Sequence, residues 1–404
     1  MSNAAQRRLA ELLATKEMVV VCGSGGVGKT TVAAAIGAAI AANMGGRVLV
    51  LTVDPARRLA AALGLQSGAI GDTSGGEGAV GHAPVRMSDA AFAEVGSRCR
   101  GELWVAMLDT KAGWDELVRR HAPSADVRDR ILANPLYRNI TGRFVHSHDY
   151  LAMEQLHDLH LSGEYDVVVI DTPPSRNALD LLDAPGRMRE FFGGRLLRWL
   201  TVPYRSRLFN VAARPFNQIA DRVLGARFLQ DIAEFFTLFQ TMEEGFLRRA
   251  DEVERLLGDD GTSFVVVSTL EAAPTREARF LAGALRERGL PLGALVLNRV
   301  LPEEVRRPAA SRAAGALRSA VDDPELLGRV AAAAGVSAGD AGHVLGALAE
   351  RFDETTVVAA REKERRRELE QLVPLTLAVP VRPTDVHDLG GLLEIGRGLL
   401  GGSR

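Results

Sequence analysis

Lys29 is the residue whose setting says most about chemistry. It closes Gly23-Ser-Gly-Gly-Val-Gly-Lys-Thr30, a match to G-x-x-x-x-G-K-[ST]. Gly23, Gly25, Gly26 and Gly28 let the backbone around Ser24 and Val27 turn its N–H groups inward, where they meet phosphate oxygens. Lys29 is placed to reach the β- and γ-phosphates, and the Thr30 hydroxyl is a ligand for Mg²⁺. Thr31 follows at the start of an Ala-rich helix, whose N-terminal dipole favours an anion. Such a site needs a carboxylate near the metal. Val167-Val-Val-Ile-Asp171 places Asp171 at a strand end, where it would hold the Mg²⁺ shell through water. Asp54, in Leu51-Thr-Val-Asp-Pro-Ala-Arg-Arg58, faces the same crevice and would orient a water for attack on the γ-phosphate. The expected catalytic residues are Asp54 and Lys29, and the expected cofactors are ATP and Mg²⁺. A rival reading exists. Gly23-x-Gly25-x-x-Gly28 also fits the dinucleotide fingerprint, with Asp54 as the ribose acid. Lys-Thr after the last glycine and Pro55 after Asp54 count against it.

These residues must be held by strands. Met18–Cys22, Val48–Val53, Val167–Ile170, Phe264–Ser268, Ala294–Leu297 and Leu375–Val379 are short apolar runs, mostly without alternating charge. That is the pattern of parallel strands covered on both faces by helices. The predicted fold is α/β: a P-loop NTPase with a doubly wound, mostly parallel sheet and an inserted helical subdomain. Ligands then bind at the carboxyl ends of the strands. The expected domains are a first part of the ATPase core over 1–185, a helical subdomain over 186–255 and a second part of the core over 256–404. The last contains a helical insertion at about 301–372.

Composition narrows the function classes. The 404 residues carry a net charge of −2, which argues against charge-driven binding to nucleic acid by the whole molecule. Cys22 and Cys99 are the only cysteines, so a disulfide scaffold and a four-thiolate zinc site within one chain are excluded. No signal peptide or spanning segment is read, and the expected location is cytoplasmic, with peripheral membrane association left open.

Together the motifs resemble the ArsA family of ATPases, which includes the arsenite-pump ATPase and the Get-pathway ATPase that targets tail-anchored membrane proteins. The matching stretches are GSGGVGKTT at Gly23–Thr31, TVDPARRL at Thr52–Leu59 and VVVIDTPPSRNALDLL at Val167–Leu182. LEAAPTREARFL at Leu270–Leu281, VLNRV at Val296–Val300 and PVRPTDVHDL at Pro380–Leu389 continue the match. The resemblance implies that Asp54 is the switch I aspartate and that Asp171 and Pro173 lie in switch II. It implies that Asn298 reads the adenine, and that Val381 and Arg382 belong to a loop closing over the base. It also implies two ATPase halves face to face, as a homodimer or a heterodimer with a paralogue. The expected function is ATP hydrolysis coupled to a conformational switch that handles a hydrophobic or membrane-protein client. The alternatives are a partition-type positioning switch and the ATPase subunit of an arsenite pump. Two departures stand out. Ser24 occupies the place of the family's second phosphate-loop lysine, with Arg57, Arg58 and Arg176 as candidate replacements. The paired thiols used for arsenite or for a bridging zinc are absent.

Three other stretches carry chemistry-bearing residues. Residues 186–247 hold nine of the fourteen phenylalanines, and nine arginines fall between Arg187 and Arg227. This reads either as a packed helical layer or as an apolar client groove flanked by arginines, with an anionic-membrane surface as a third reading. Phe228, Phe235, Phe239 and Phe246 have the spacing of one helical stripe. His146, His148, His157 and His160 fall close together beside Asp149, Glu154 and Asp158, and read as a polar helix more than a metal site. Arg361–Glu370, charged at nine of ten positions, reads as a solvated helix with a Glu362–Arg366 pair.

Overall fold

The computed structural model describes residues 3–53, 84–107, 110–135, 137, 147–173, 183, 186–187, 189–190 and 234–401. Asp54, Arg57, Arg58, Arg176, His146, Phe191, Phe192 and Phe228 lie outside the described residues. The strands in chain order are β1 (Met18–Gly23), β2 (Arg47–Thr52), β3 (Val85–Arg86), β4 (Glu102–Met107), β5 (Val167–Asp171), β6 (Thr262–Ser268), β7 (Leu292–Val300) and β8 (Thr376–Pro380). They form one eight-stranded sheet in the order β3-β4-β2-β5-β1-β6-β7-β8. Every pairing is parallel except that of β3 with β4. This is the α/β, mostly parallel P-loop architecture expected from the sequence.

All six apolar runs are strands. The two strands that were not expected lie at one edge. β4 begins at Glu102 and is apolar from Leu103 to Met107, with Leu103 and Val105 in one core and Ala106 in the other, but it has a single β-branched residue, Val105. β3 is two residues long and offers no periodicity at all.

Burial explains the patterning. Along β1, Met18, Val20 and Cys22 enter one core, and Val19 and Val21 enter the other. Both faces are covered, so neither parity of residue is polar. One face is packed by Lys29–Ala39, which continues through a π turn at Ile40–Met44, and by the C-terminal helix Leu389–Leu400. The other is packed by Ser147–Leu161, Glu243–Gly258 and Ala272–Glu287.

Between β7 and β8 the chain forms four helices, Glu303–Arg306, Pro308–Val321, Pro324–Ala334 and Ala338–Leu372. Asp323 caps the third by accepting from the backbone N–H of Glu325 and of Leu326, and Pro324 stands at its first position. Ser337 caps the fourth. The charged run Arg361–Glu370 lies within this long helix. Its pairing differs from expectation. Arg366 binds Glu370 at 2.7 Å, while Glu362 turns inward and accepts from Leu301 N at 3.2 Å.

Candidate functional site

The G-x-x-x-x-G-K-T segment runs from the end of β1 into the helix Lys29–Ala39, as strand, loop and helix. Two of its glycines are required by geometry. Gly28 has φ +89°, and a β-carbon there would stand 2.3 Å from Asn298 Nδ2. Gly23 leaves β1 so close to β6 that a β-carbon would lie 2.1 Å from the carbonyl oxygen of Val267. Gly25 and Gly26 form the exposed tip. Lys29 is buried, and its Nζ donates to the carbonyl oxygen of Ser24 at 2.9 Å. The lysine thus lies folded back along its own loop.

The second element comes from strand register. Asp171 ends β5 opposite Val21 of β1 and opposite Thr52 of β2. Its side chain is buried, 1 % exposed. Thr30 Oγ1 donates to Asp171 Oδ2 at 2.6 Å, and Thr52 Oγ1 donates to the same oxygen at 3.0 Å. Thr172 Oγ1 donates to the carbonyl of Val21 at 2.9 Å, which pins the start of the next segment to β1. The sheet therefore brings Thr30 and Asp171 together, 141 residues apart in sequence. Thr52 is an addition that sequence reasoning missed. The available signal was a hydroxyl residue at the end of an apolar strand, two positions before Asp54 and so on the same side of an extended chain.

Hard oxygen donors of this kind suit Mg²⁺. Thr30 and Asp171 are the residues that would hold it, Thr30 directly and Asp171 through water. Backbone N–H groups between Gly23 and Gly28, with Lys29, would hold phosphates.

Asn298 sits at the phosphate loop. Its amide Nδ2 donates to the carbonyl of Val27 at 2.8 Å, and its Oδ1 accepts from Arg299 N at 3.0 Å. Here its amide holds the loop. Arg299 was given no role from the sequence. It is the one non-glycine residue with positive φ among the described residues, at 55°, and its Nη1 lies 3.4 Å from the carbonyl of Gly26. No sequence signal marks it. Val381 is exposed, and its N–H donates to the carbonyl of Val300 at 2.9 Å. Arg382 pairs with Glu394. Ser24 is buried, and its hydroxyl has no partner among the described residues.

The profile of the family described as anion-transporting ATPase, ArsA ATPase, matches residues 16–318. The chain belongs to this family. It is 31% identical over 304 residues to an uncharacterized protein of Streptomyces coelicolor, covering 74% of this chain and 66% of that one. It is 24% identical over 302 residues to a protein of Aquifex aeolicus named as a candidate arsenical pump-driving ATPase, covering 71% and 64%. A second Aquifex aeolicus protein of the same name type is 23% identical over 290 residues, covering 70% and 79%. The chain spans about two thirds of the length of the first two relatives.

The remaining constellations resolve differently. Phe235 and Phe239 lie in a helical segment at 234–240, and Phe246 follows a turn in the helix Glu243–Gly258. The expected single stripe is therefore broken across two helices. The three rings still pack in a row, Phe235 stacked on Phe239 at 5.3 Å between centroids and Phe239 tilted against Phe246 at 5.4 Å, and all are buried. This part of the aromatic stretch is core. His157 and His160 do not converge: His157 Nε2 lies 3.6 Å from Glu252, and His160 Nε2 lies 3.6 Å from Glu17. No group of three metal-ligating side chains occurs among the described residues. No helix among them is long and apolar enough to cross a membrane.

Proposed function

We propose that this chain is a Mg²⁺-dependent ATP hydrolase that couples hydrolysis to a conformational switch acting on a hydrophobic or membrane-protein client. The observation that supports the chemistry best is the hydrogen bond from Thr30 to Asp171 at 2.6 Å. It ties the residue after the phosphate-loop lysine to the acid that ends β5. When bound, Mg²⁺ would neutralise charge on the β- and γ-phosphates. Lys29 would leave Ser24 and pair with those phosphates. Asp54 would orient the attacking water, and Asn298 would read the adenine. Nucleotide state would then reposition the segments after Asp54 and Asp171 and, with them, the helical region that follows.

Two copies face to face, as a homodimer or with a paralogue, fit the single phosphate loop. Ser24 replaces the lysine that would reach across such an interface. The client reading draws on the arginines and phenylalanines of residues 186–227.

The names of the Aquifex relatives favour a second reading, an arsenite-pump ATPase subunit. The thiols weigh against it. Cys22 is fully buried, and burial pushes its thiol up to about 12. Burial also raises Cys99. Arsenite needs thiolate ligands, and neither site favours one.

The test measures ATP affinity and turnover separately. Lys29→Ala should abolish tight ATP binding, whereas Asp54→Asn should retain binding and slow turnover. Full turnover in Asp54→Asn removes Asp54 from the mechanism. Tight NAD binding without ATP binding sinks the hydrolase reading. For the client, Phe191→Ser with Phe192→Ser should impair binding of an apolar helical peptide more than turnover.

A further inference from the structure

The helices between β7 and β8 enclose a cleft of about 630 Å³, within the usual range for small-molecule sites. One wall is the short helix Glu303–Arg306 with Arg307 after it. The other is a face of the long helix, where Thr356, Ala359, Lys363, Arg366, Arg367 and Glu370 recur at three- and four-residue spacing. The floor is apolar, made by Leu270, Val305 and Ala359. The walls are fixed. Arg365 Nη1 donates to the carbonyl of Leu270 at 2.8 Å, and Glu362 accepts from Leu301 N at 3.2 Å.

Five cationic side chains line this cleft against three carboxylates. Arg307 is engaged by Glu303 at 2.9 Å and Arg366 by Glu370 at 2.7 Å. Glu362 is buried on Leu301 N. Arg306, Lys363 and Arg367 have no ion-pair partner among the described residues, and the Nε of Arg306 is buried without a hydrogen-bond acceptor. Both features cost stability. A buried donor left unmade is unfavourable, and Lys363 and Arg367 are like charges four residues apart on one helix face. An anion in the cleft would relieve both.

We propose that this cleft binds a small phosphorylated ligand, its phosphate oxygens held by Arg306, Lys363 and Arg367 and its body lying on Leu270, Val305 and Ala359. Guanidinium groups match phosphate oxygens in geometry, and an ammonium adds a point charge. The site is separate from the phosphate loop. The proposal does not depend on ATP hydrolysis.

The test is calorimetric titration of inorganic pyrophosphate into the full-length chain carrying Lys29→Ala, which disables the phosphate loop. One binding event should remain. Adding Lys363→Gln and Arg367→Gln should weaken it at least tenfold. Both side chains are exposed, so these changes spare the core. Arg367→Lys should restore part of the affinity. Glu370→Gln, which frees Arg366, should tighten binding several-fold. No pyrophosphate binding in Lys29→Ala overturns the proposal. So does binding that ignores the Lys363 and Arg367 changes, and so does binding of phosphatidic-acid vesicles without any response to pyrophosphate.

Discussion

Thr52→Val tests whether the strand register at Asp171 governs metal binding. Thr52 is 2% exposed, and its hydroxyl donates to Asp171 Oδ2 at 3.0 Å. Valine keeps the shape of the side chain and the β-branching that suits a strand, so little packing is lost. What is lost is one donor to a carboxylate. A hydrogen bond to a charged group contributes about 1.5–3 kcal/mol, which spans roughly ten- to a hundredfold in an equilibrium constant. Removal of partners that orient metal ligands falls in the same range. Thr30 still donates to the same oxygen at 2.6 Å, so the carboxylate keeps one anchor. The expected effect is therefore the lower end, about a tenfold rise in the Mg²⁺ concentration that half-saturates ATP turnover. Thr52→Ser keeps the hydroxyl and should return the Mg²⁺ dependence towards the wild-type value. The assay is turnover against free Mg²⁺ at saturating ATP, with a thermal melt to confirm folding. An unchanged Mg²⁺ dependence in a normally folded Thr52→Val would refute the reasoning. A loss that serine fails to rescue would refute it equally.

Other outcomes follow from burial. Phe239→Ala removes a ring packed between Phe235 and Phe246 and should destabilise the fold by about 3–5 kcal/mol, read from denaturant melts. His121 packs on Phe246 at 5.2 Å, and burial, with Arg249 and Arg120 adding to it, lowers its pKa from 6.5 to about 4. The unfolded chain therefore takes up a proton that the folded chain refuses, so this contribution is full above pH 6.5 and fades as pH falls towards 4. Melting temperature measured across that window should decline, and His121→Leu should flatten part of the decline. Turnover should be insensitive to arsenite, and Cys99→Ser should leave it unchanged. Stimulation by arsenite that vanishes in Cys99→Ser would restore the pump reading.

The central strands were legible because their composition carries one message. β1, β5 and β6 are buried on both faces, so a short Val-rich run bounded by turn residues identifies each. The edge lacked that signature. β4 is buried on both sides and apolar from Leu103 to Met107 but has a single β-branched residue, Val105, and β3 is too short to show a period. At the site, Lys29, Thr30 and Asp171 were readable because a loop motif and a strand-terminal acid are local signals. The hydroxyl of Thr52 and the backbone of Arg299 were not, since their roles arise only when β2 lies beside β5 and β7 ends beside the phosphate loop. The aromatic spacing misled for a related reason. Phe235, Phe239 and Phe246 keep helical spacing across a turn at Thr241 and Met242, and tertiary packing aligns rings that no single helix holds.

The end of β7 joins features that look independent in sequence. Within four residues, Asn298 holds the phosphate loop at Val27, the carbonyl of Val300 accepts from Val381, and the N–H of Leu301 is held by Glu362 of the long helix. β7 is itself fixed on both sides by parallel pairing with β6 and β8. Pairing with β6 ends at Leu297 and the register with β8 shifts between Leu297 and Val300, where Arg299 takes positive φ, so the three contacts share the irregular end of the strand within four residues of one another. This gives VLNRV and PVRPTDVHDL a common physical reason. The first ends the strand that grips the phosphate loop, and the second begins the segment that hydrogen-bonds to that same end. It also sets a limit on the helical insertion. The long helix carries the cleft residues on one face, yet it anchors through Glu362 at the strand end nearest the nucleotide site. A ligand held by Lys363 therefore acts at the residue next to Glu362, the group that holds Leu301.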